Sequence, residues 1–217
     1  MTMRTNARTW AALLLPLLPL HSEVIDRVAI VVGRHIVTLS HLETEVRVTA
    51  FLEGVTLTPE REALERKQAA SRLIQQTLIR REIELTRFPM PKLEEAQPLL
   101  EQARAPHGEN FARDLAAAGL REQDVADQLL WRLTLLRFVQ YRFQPGINIS
   151  GEDIQTYYEA QLPRWTAEGK APPPLEATSK DIETILTQQR VDAALDRWLG
   201  EQRNQTVILY KLKGLEE

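Results

Sequence analysis

The chain has 217 residues, 43% hydrophobic and 26% charged, the proportions of an ordinary globular protein of one or two domains. A formal net charge of −3 and a pI of about 5.9 exclude the broadly basic character of a nucleic-acid binder. With no cysteine, the chain forms no disulfides and has neither thiol redox chemistry nor zinc–thiolate sites.

Residues 1–22 read as a secretory signal. Arg4 and Arg8 are the only charges ahead of the apolar run Trp10–Leu20, which is too short to span a bilayer. Ser22 is the expected cleavage position, leaving a mature N-terminus at Glu23, although Leu20 departs from the usual small residue two positions before it. An uncleaved anchor is the alternative; the expected location is periplasmic or otherwise exported.

Val24–Val32 is β-branched and nearly continuous, which predicts a strand. Gly33-Arg34 is a two-residue turn with Gly first, and His35–Leu39 returns as a second strand. Such a hairpin, apolar on both faces, is not stable alone, so another strand must complete it. Ser40 with Glu43 three residues on predicts a capped helix with the stripe Leu42, Val46 and Ala50, ended by Gly54.

Thr58–Phe88 is the dominant element. Thr58 is placed to cap it, Pro59 occupies its first position, and neither Gly nor Pro follows until Pro89. Its expected buried stripe is Ala63, Ala70, Leu73, Ile74, Leu78 and Leu85, with Arg81 as a fault in that stripe and Ile79 and Ile83 behind it. The second half of this helix should therefore be gripped from two sides.

After the stiff link Phe88–Pro91, helices are predicted over Leu93–Ala103, Glu109–Ala118 and Glu122–Phe143. Pro98 should kink the first of these or mark its first turn. Gly119 stops the second, and Leu120 packs back on its end. The third is apolar almost all round and should be buried. Ser150 and Asp153 cap a helix through Ile154, Tyr157 and Tyr158, and Pro163–Pro174 reads as a proline-rich linker. A last helix over about Thr178–Arg203 precedes a strand, Thr206–Leu212, the natural partner for the N-terminal hairpin.

The order of these pieces resembles the SurA and PrsA-type exported chaperones. VAIVVGRHIVTLSHLETEV is similar to the family's opening strand, Gly turn, return strand and capped helix, and SRLIQQTLIRREIEL to its second helix. FARDLAAAGLREQDVADQLLWRLTLLRFV, ISGEDIQTYYEAQ and DRWLGEQRNQTVILY follow the same order to the closing helix and strand. The resemblance covers residues 24–212. It implies a chaperone that holds unfolded outer-membrane or secreted polypeptides without ATP. The family's parvulin isomerase, a domain of about 90 residues, would lie between the Tyr-Tyr helix and the closing helix. Only Ala160–Pro174 is available there, so no isomerase activity is implied.

The expected architecture is mainly α: an irregular bundle of five to six helices, with a small sheet joining the N-terminal hairpin to the C-terminal strand. Its divisions are the signal 1–22, a chaperone region 23–162, the linker 163–174 and a closing region 175–217. No phosphate loop, nucleophile elbow or His/carboxylate metal spacing appears, so neither catalysis nor a cofactor is expected. His41 and Glu45, one helical turn apart, read as a surface contact. Candidate client contacts are Phe88 and Met90 on the stiff link and Trp165 in the linker, because adaptable apolar side chains tolerate many sequences. A structural subunit that uses the same fold for one fixed partner or for self-association is the alternative.

Overall fold

The computed structural model describes residues 26–167, 169 and 171–216; the signal-like segment and Val24–Ile25 lie outside them. The chain enters strand β1 (Val28–Val32), turns at Gly33 with φ +60°, and returns as β2 (His35–Thr38). Ala29 is an extra residue in the β1–β2 register, and this bulge lets both Ala29 and Ile30 turn inward, each fully buried.

Helix α1 (Leu39–Leu52) is capped by Thr38, whose hydroxyl accepts from the His41 N–H, and not by Ser40 as the sequence predicts. Ser40 instead donates its hydroxyl to the Asp26 carboxylate, tying the chain ahead of β1 to the helix start. Glu43 faces Arg47 and Arg66 and takes no part in a cap.

Helix α2 (Pro59–Thr86) starts as predicted, with Thr58 accepting from the Arg61 N–H. It ends at Arg87, left-handed at φ 52°, where the Phe88 N–H closes back on the Ile83 carbonyl at 3.0 Å. Ala70, Leu73, Ile74, Leu78, Ile79 and Ile83 are buried, so the helix is indeed gripped on two sides. The expected stripe fails at its ends: Ala63 is exposed and Leu85 is 69% exposed, while Ile83, expected behind the stripe, is buried in their place.

Helix α3 (Leu93–Arg104) runs through Pro98, its sixth residue, and does not begin there. Pro98 lies on the exposed side, where water can serve the carbonyl left without a donor. A short helix α4 (Phe111–Ala117) ends at Gly119, φ +66°, with the Leu120 N–H bonded to the Leu115 carbonyl and the Leu120 side chain buried. Helix α5 (Glu122–Phe143) has the predicted bounds.

Helix α6 (Gly151–Ala167) continues through Pro163 and Trp165, so the predicted linker 163–174 is a correction: its first five residues are helical. Trp165 lies two turns beyond Tyr158, and their rings pack at 5.4 Å, an apolar contact that favours continuing the helix past the proline. Helix α7 (Leu175–Gln205) is followed by strand β3 (Ile208–Tyr210), shorter than predicted but antiparallel to β1. The sheet order β2-β1-β3 brings the two ends of the described chain together, as the unfinished hairpin requires.

The structure is thus mainly helical with one small sheet. Its principal core joins Ile30, Val32 and Val37 of the sheet to Leu42 and Val46 of α1, the α2 stripe, Trp131 and Phe138 of α5, and Leu199 of α7. A second cluster packs the end of α1, α3, α4 and the first half of α5 around Val48, Phe111 and Val125. A third, small one joins Val139 and Phe143 of α5 to Val191 of α7. Among the described residues no helix is long and apolar enough to cross a membrane.

Candidate functional site

The three predicted client contacts do not form one site. Phe88 follows the left-handed Arg87 and is half-buried, its ring 5.5 Å edge-on to Phe138 and 5.3 Å from Tyr141. Trp165 is half-buried in α6 against Tyr158, whose hydroxyl donates to the Pro173 carbonyl at 2.8 Å. Both therefore seal packing, contrary to the expectation that they stand outside it. Met90 alone is openly accessible, at 48%. The prolines of the link hold it there while Pro91 is buried.

A larger opening lies between α5 and the first half of α7. It is a cleft of about 370 Å³ with an apolar floor of Val139 and Val191, and Leu136, 55% exposed, at its rim. Gln140, Gln144, Gln188, Thr184 and Thr187 supply polar walls, and Glu183 adds a charge. Helix α6 enters no core: none of its residues is buried, and it packs chiefly along α7. Arg190 of α7 anchors its start, donating to the Asn148 carbonyl and to the Asp153 carboxylate. Helix α7 is joined to the body twice, through the small Val139–Phe143–Val191 cluster and through Leu199 in the principal core, whereas α6 reaches the body chiefly by way of α7. A helix that reads as apolar almost all round gives no sign of this cleft, which only the crossing of α5 and α7 creates.

The most concentrated polar feature is a tie between helices. Glu45, only 5% exposed, accepts from Arg72 Nε of α2 at 3.1 Å, Gln128 Nε2 of α5 at 3.3 Å and Thr49 at 3.5 Å. This corrects the surface-contact reading of His41 and Glu45: the carboxylate turns inward, and His41 stays exposed at the rim. Desolvation pulls the His41 pKa below its ordinary value against the attraction of Glu45. Nearby, the Arg80 guanidinium lies 4.2 Å over the Trp131 ring. All three donors meet one oxygen, Oε1, so this arrangement holds α1, α2 and α5 in register. Its signal was present in the sequence: positions 42, 45, 46 and 49 share one helical face, which puts Glu45 and Thr49 on the buried stripe.

A second pairing unread in the sequence joins His107 Nδ1 to Asp114 at 2.9 Å, with the imidazole stacked on Phe51 at 4.6 Å. It locks α4 against the end of α1. The hydrogen bond from His107 is the main reason the Asp114 carboxyl lies below its ordinary pKa. Among the described residues no group of three His, Cys, Asp or Glu side chains is placed to hold a metal ion.

No known protein-family model matches this chain, and no curated protein matches it either.

Proposed function

We propose that the protein is an exported chaperone that holds unfolded polypeptides, outer-membrane or secreted proteins by class, without ATP and without isomerase activity. The observation that carries this reading is the α5–α7 cleft, where an apolar floor is bounded by three glutamines and two threonines. Glutamine and threonine both donate and accept hydrogen bonds, so such walls can serve the backbone of a peptide whatever its sequence. The floor meanwhile buries an aliphatic or aromatic side chain. Met90 adds an adaptable apolar contact, and the exposed edges of Phe88 and Trp165 extend the accessible apolar surface. The resemblance in order of elements to SurA and PrsA-type chaperones supports the same reading.

Binding is then reversible burial of client apolar segments, weak per contact and broad in selectivity. The test is suppression of aggregation of a urea-unfolded outer-membrane protein on dilution, in the absence of nucleotide. Wild type is expected to suppress aggregation. Leu136→Ser with Met90→Ser, two exposed positions, should fold normally and lose most of that effect, since surface changes typically cost within about 0.5 kcal/mol each. Wild type that suppresses nothing and co-purifies with one stoichiometric partner would replace this reading with a dedicated subunit.

A further inference from the structure

The three-stranded sheet has one face on the principal core and the other open. Pairing of Val31 with both Ile36 and Leu209 sets these three side chains in a row across the sheet, and Val207 joins Leu209 by strand alternation. Ile36 is 60% exposed, Leu209 45% and Val207 68%, with Val31 half-buried between the strands. Beside this row β3 is an edge strand. The bonds from Gly33 N–H to the Val207 carbonyl and from Lys211 N–H to the Ala29 carbonyl turn the backbone groups of residues 207, 209 and 211 toward β1. In an antiparallel ladder the N–H and C=O groups of Ile208 and Tyr210 therefore point outward, away from the sheet. Their side chains pack on the principal core, so the edge is held in place.

Cations stand at both ends of this strand. Arg34 and Arg81 line a cleft of about 130 Å³ at the hairpin turn, together with Gly33, His35 and Thr206. Arg27, Lys211 and Lys213 are exposed at the other end. None of these five has an ion-pair partner among the described residues, whereas the Asp26 carboxylate beside Arg27 is taken up by Ser40. On a chain of net charge −3 this is a local reversal of sign, and it lies along an open apolar strand edge.

We infer that β3 is a docking edge for an extended segment of a partner protein with exposed-face aliphatic residues at its centre and carboxylates at both ends. The segment adds as a fourth strand, its backbone bonding Ile208 and Tyr210 and its aliphatic side chains covering Val207, Leu209 and Val31. Its acidic residues face Lys211 and Lys213 at one end and Arg34 and Arg81 at the other. Charge selects this occupant. A second copy would bring five cations against five, and four aliphatic side chains fall well short of the ~800 Å² per partner of a stable interface. The chain's own residues 1–22 carry only Arg4 and Arg8 as charges and would be repelled as well. This edge is separate from the α5–α7 cleft, and the inference holds whether or not that cleft binds clients.

The test uses the full chain and a fluorescein-labelled acetyl-Glu-Glu-Val-Thr-Val-Thr-Val-Glu-Glu-amide peptide, with the same peptide carrying Lys in place of Glu as control, read by fluorescence anisotropy. The Glu peptide should bind and the Lys peptide should not. Lys211→Glu with Lys213→Glu should weaken binding by about tenfold, the reach of two rim charges, and added salt should do the same. Leu209→Asn, at an exposed position, should weaken it too, as should N-methylation of alternate peptide residues. Unchanged thermal melting of both variants confirms that they fold. Equal binding of the two peptides, no binding, or affinity indifferent to Leu209→Asn and to the charge reversal would each overturn the inference. A wild-type dimer broken by Leu209→Asn would overturn it in favour of a second copy.

Discussion

Helices α2 and α6 are both amphipathic and both carry proline, yet they are held in opposite ways. Helix α2 buries Ala69, Ala70, Leu73, Ile74, Leu78, Ile79 and Ile83 against the sheet, α1 and α5, while α6 buries nothing and leans on α7 alone in any substantial way. At roughly 1.5–3 kcal/mol for each large aliphatic side chain removed from water, the free energy of folding is concentrated around α2. Helix α7 shares the principal core through Leu199, and α6 alone is coupled to it indirectly, by way of α7.

The contrast is broken most severely through the body. Removing residues 205–217 deletes β3 and the buried Leu215, uncovers β1 as a new edge and opens the principal core. Loss of cooperative unfolding, read by circular dichroism on heating, is the expected result; an unchanged melting curve would show that β3 does not close the sheet. Next in size is Phe138→Ala. This ring is fully buried in the principal core and packs edge-on to Phe88, so truncation should cost about 3–5 kcal/mol in urea unfolding.

The polar tie ranks below it. Glu45→Ala strips Arg72, Gln128 and Thr49 of their shared acceptor and should cost about 1–3 kcal/mol. If the tie contributed only a surface ion pair, the loss would stay under about 1 kcal/mol. The arm responds differently. Tyr158→Ala removes the contact with Trp165 and the bond to Pro173, yet the global melting point should shift by no more than about 2–4 °C. Hydrogen exchange across 151–167 should quicken while α2 stays protected. Equal quickening in both helices would mean that arm and body unfold as one.

Acid produces the smallest effect. Asp114 is held below the ordinary carboxylate value of 3.8 mainly by His107, and Asp153 below the same value mainly by the Ser150 N–H and hydroxyl, with Arg190 adding to it. A depressed folded pKa stabilises the native state at neutral pH, and this contribution is lost as pH falls from 3.8 through the folded value. Urea midpoints should therefore decline below that pH, and Asp114→Asn should make the decline slightly shallower. A midpoint that rises on acidification would reverse the sign.

Much of the architecture was legible from short-range chemistry. Thr58-Pro59 starts α2, Gly119 and Leu120 stop α4, and α5 runs from Glu122 to Phe143, because caps, prolines and left-handed glycines act over three or four residues. The unfinished hairpin demanded a third strand, and only one β-like segment was left to supply it. Where competition between neighbours decides, the local signal misleads. Ser40 matches a capping box, but Asp26 claims its hydroxyl and leaves the cap to Thr38.

Pro163 likewise reads as the start of a linker, yet α6 continues to Ala167 with the ring of Trp165 packed on Tyr158. Phe88 and Trp165 could be named as aromatic residues outside the helical stripes, and the sequence alone placed them in the open. Tertiary packing turned both toward other rings, because an aromatic side chain near apolar neighbours gains more by burial than by exposure. The inward turn of Glu45, the cleft between α5 and α7, and the row Val31, Ile36 and Leu209 all join residues distant in the chain. Periodicity says which side of an element is apolar. Whether that side meets a partner depends on how the elements cross, and only the folded chain decides it.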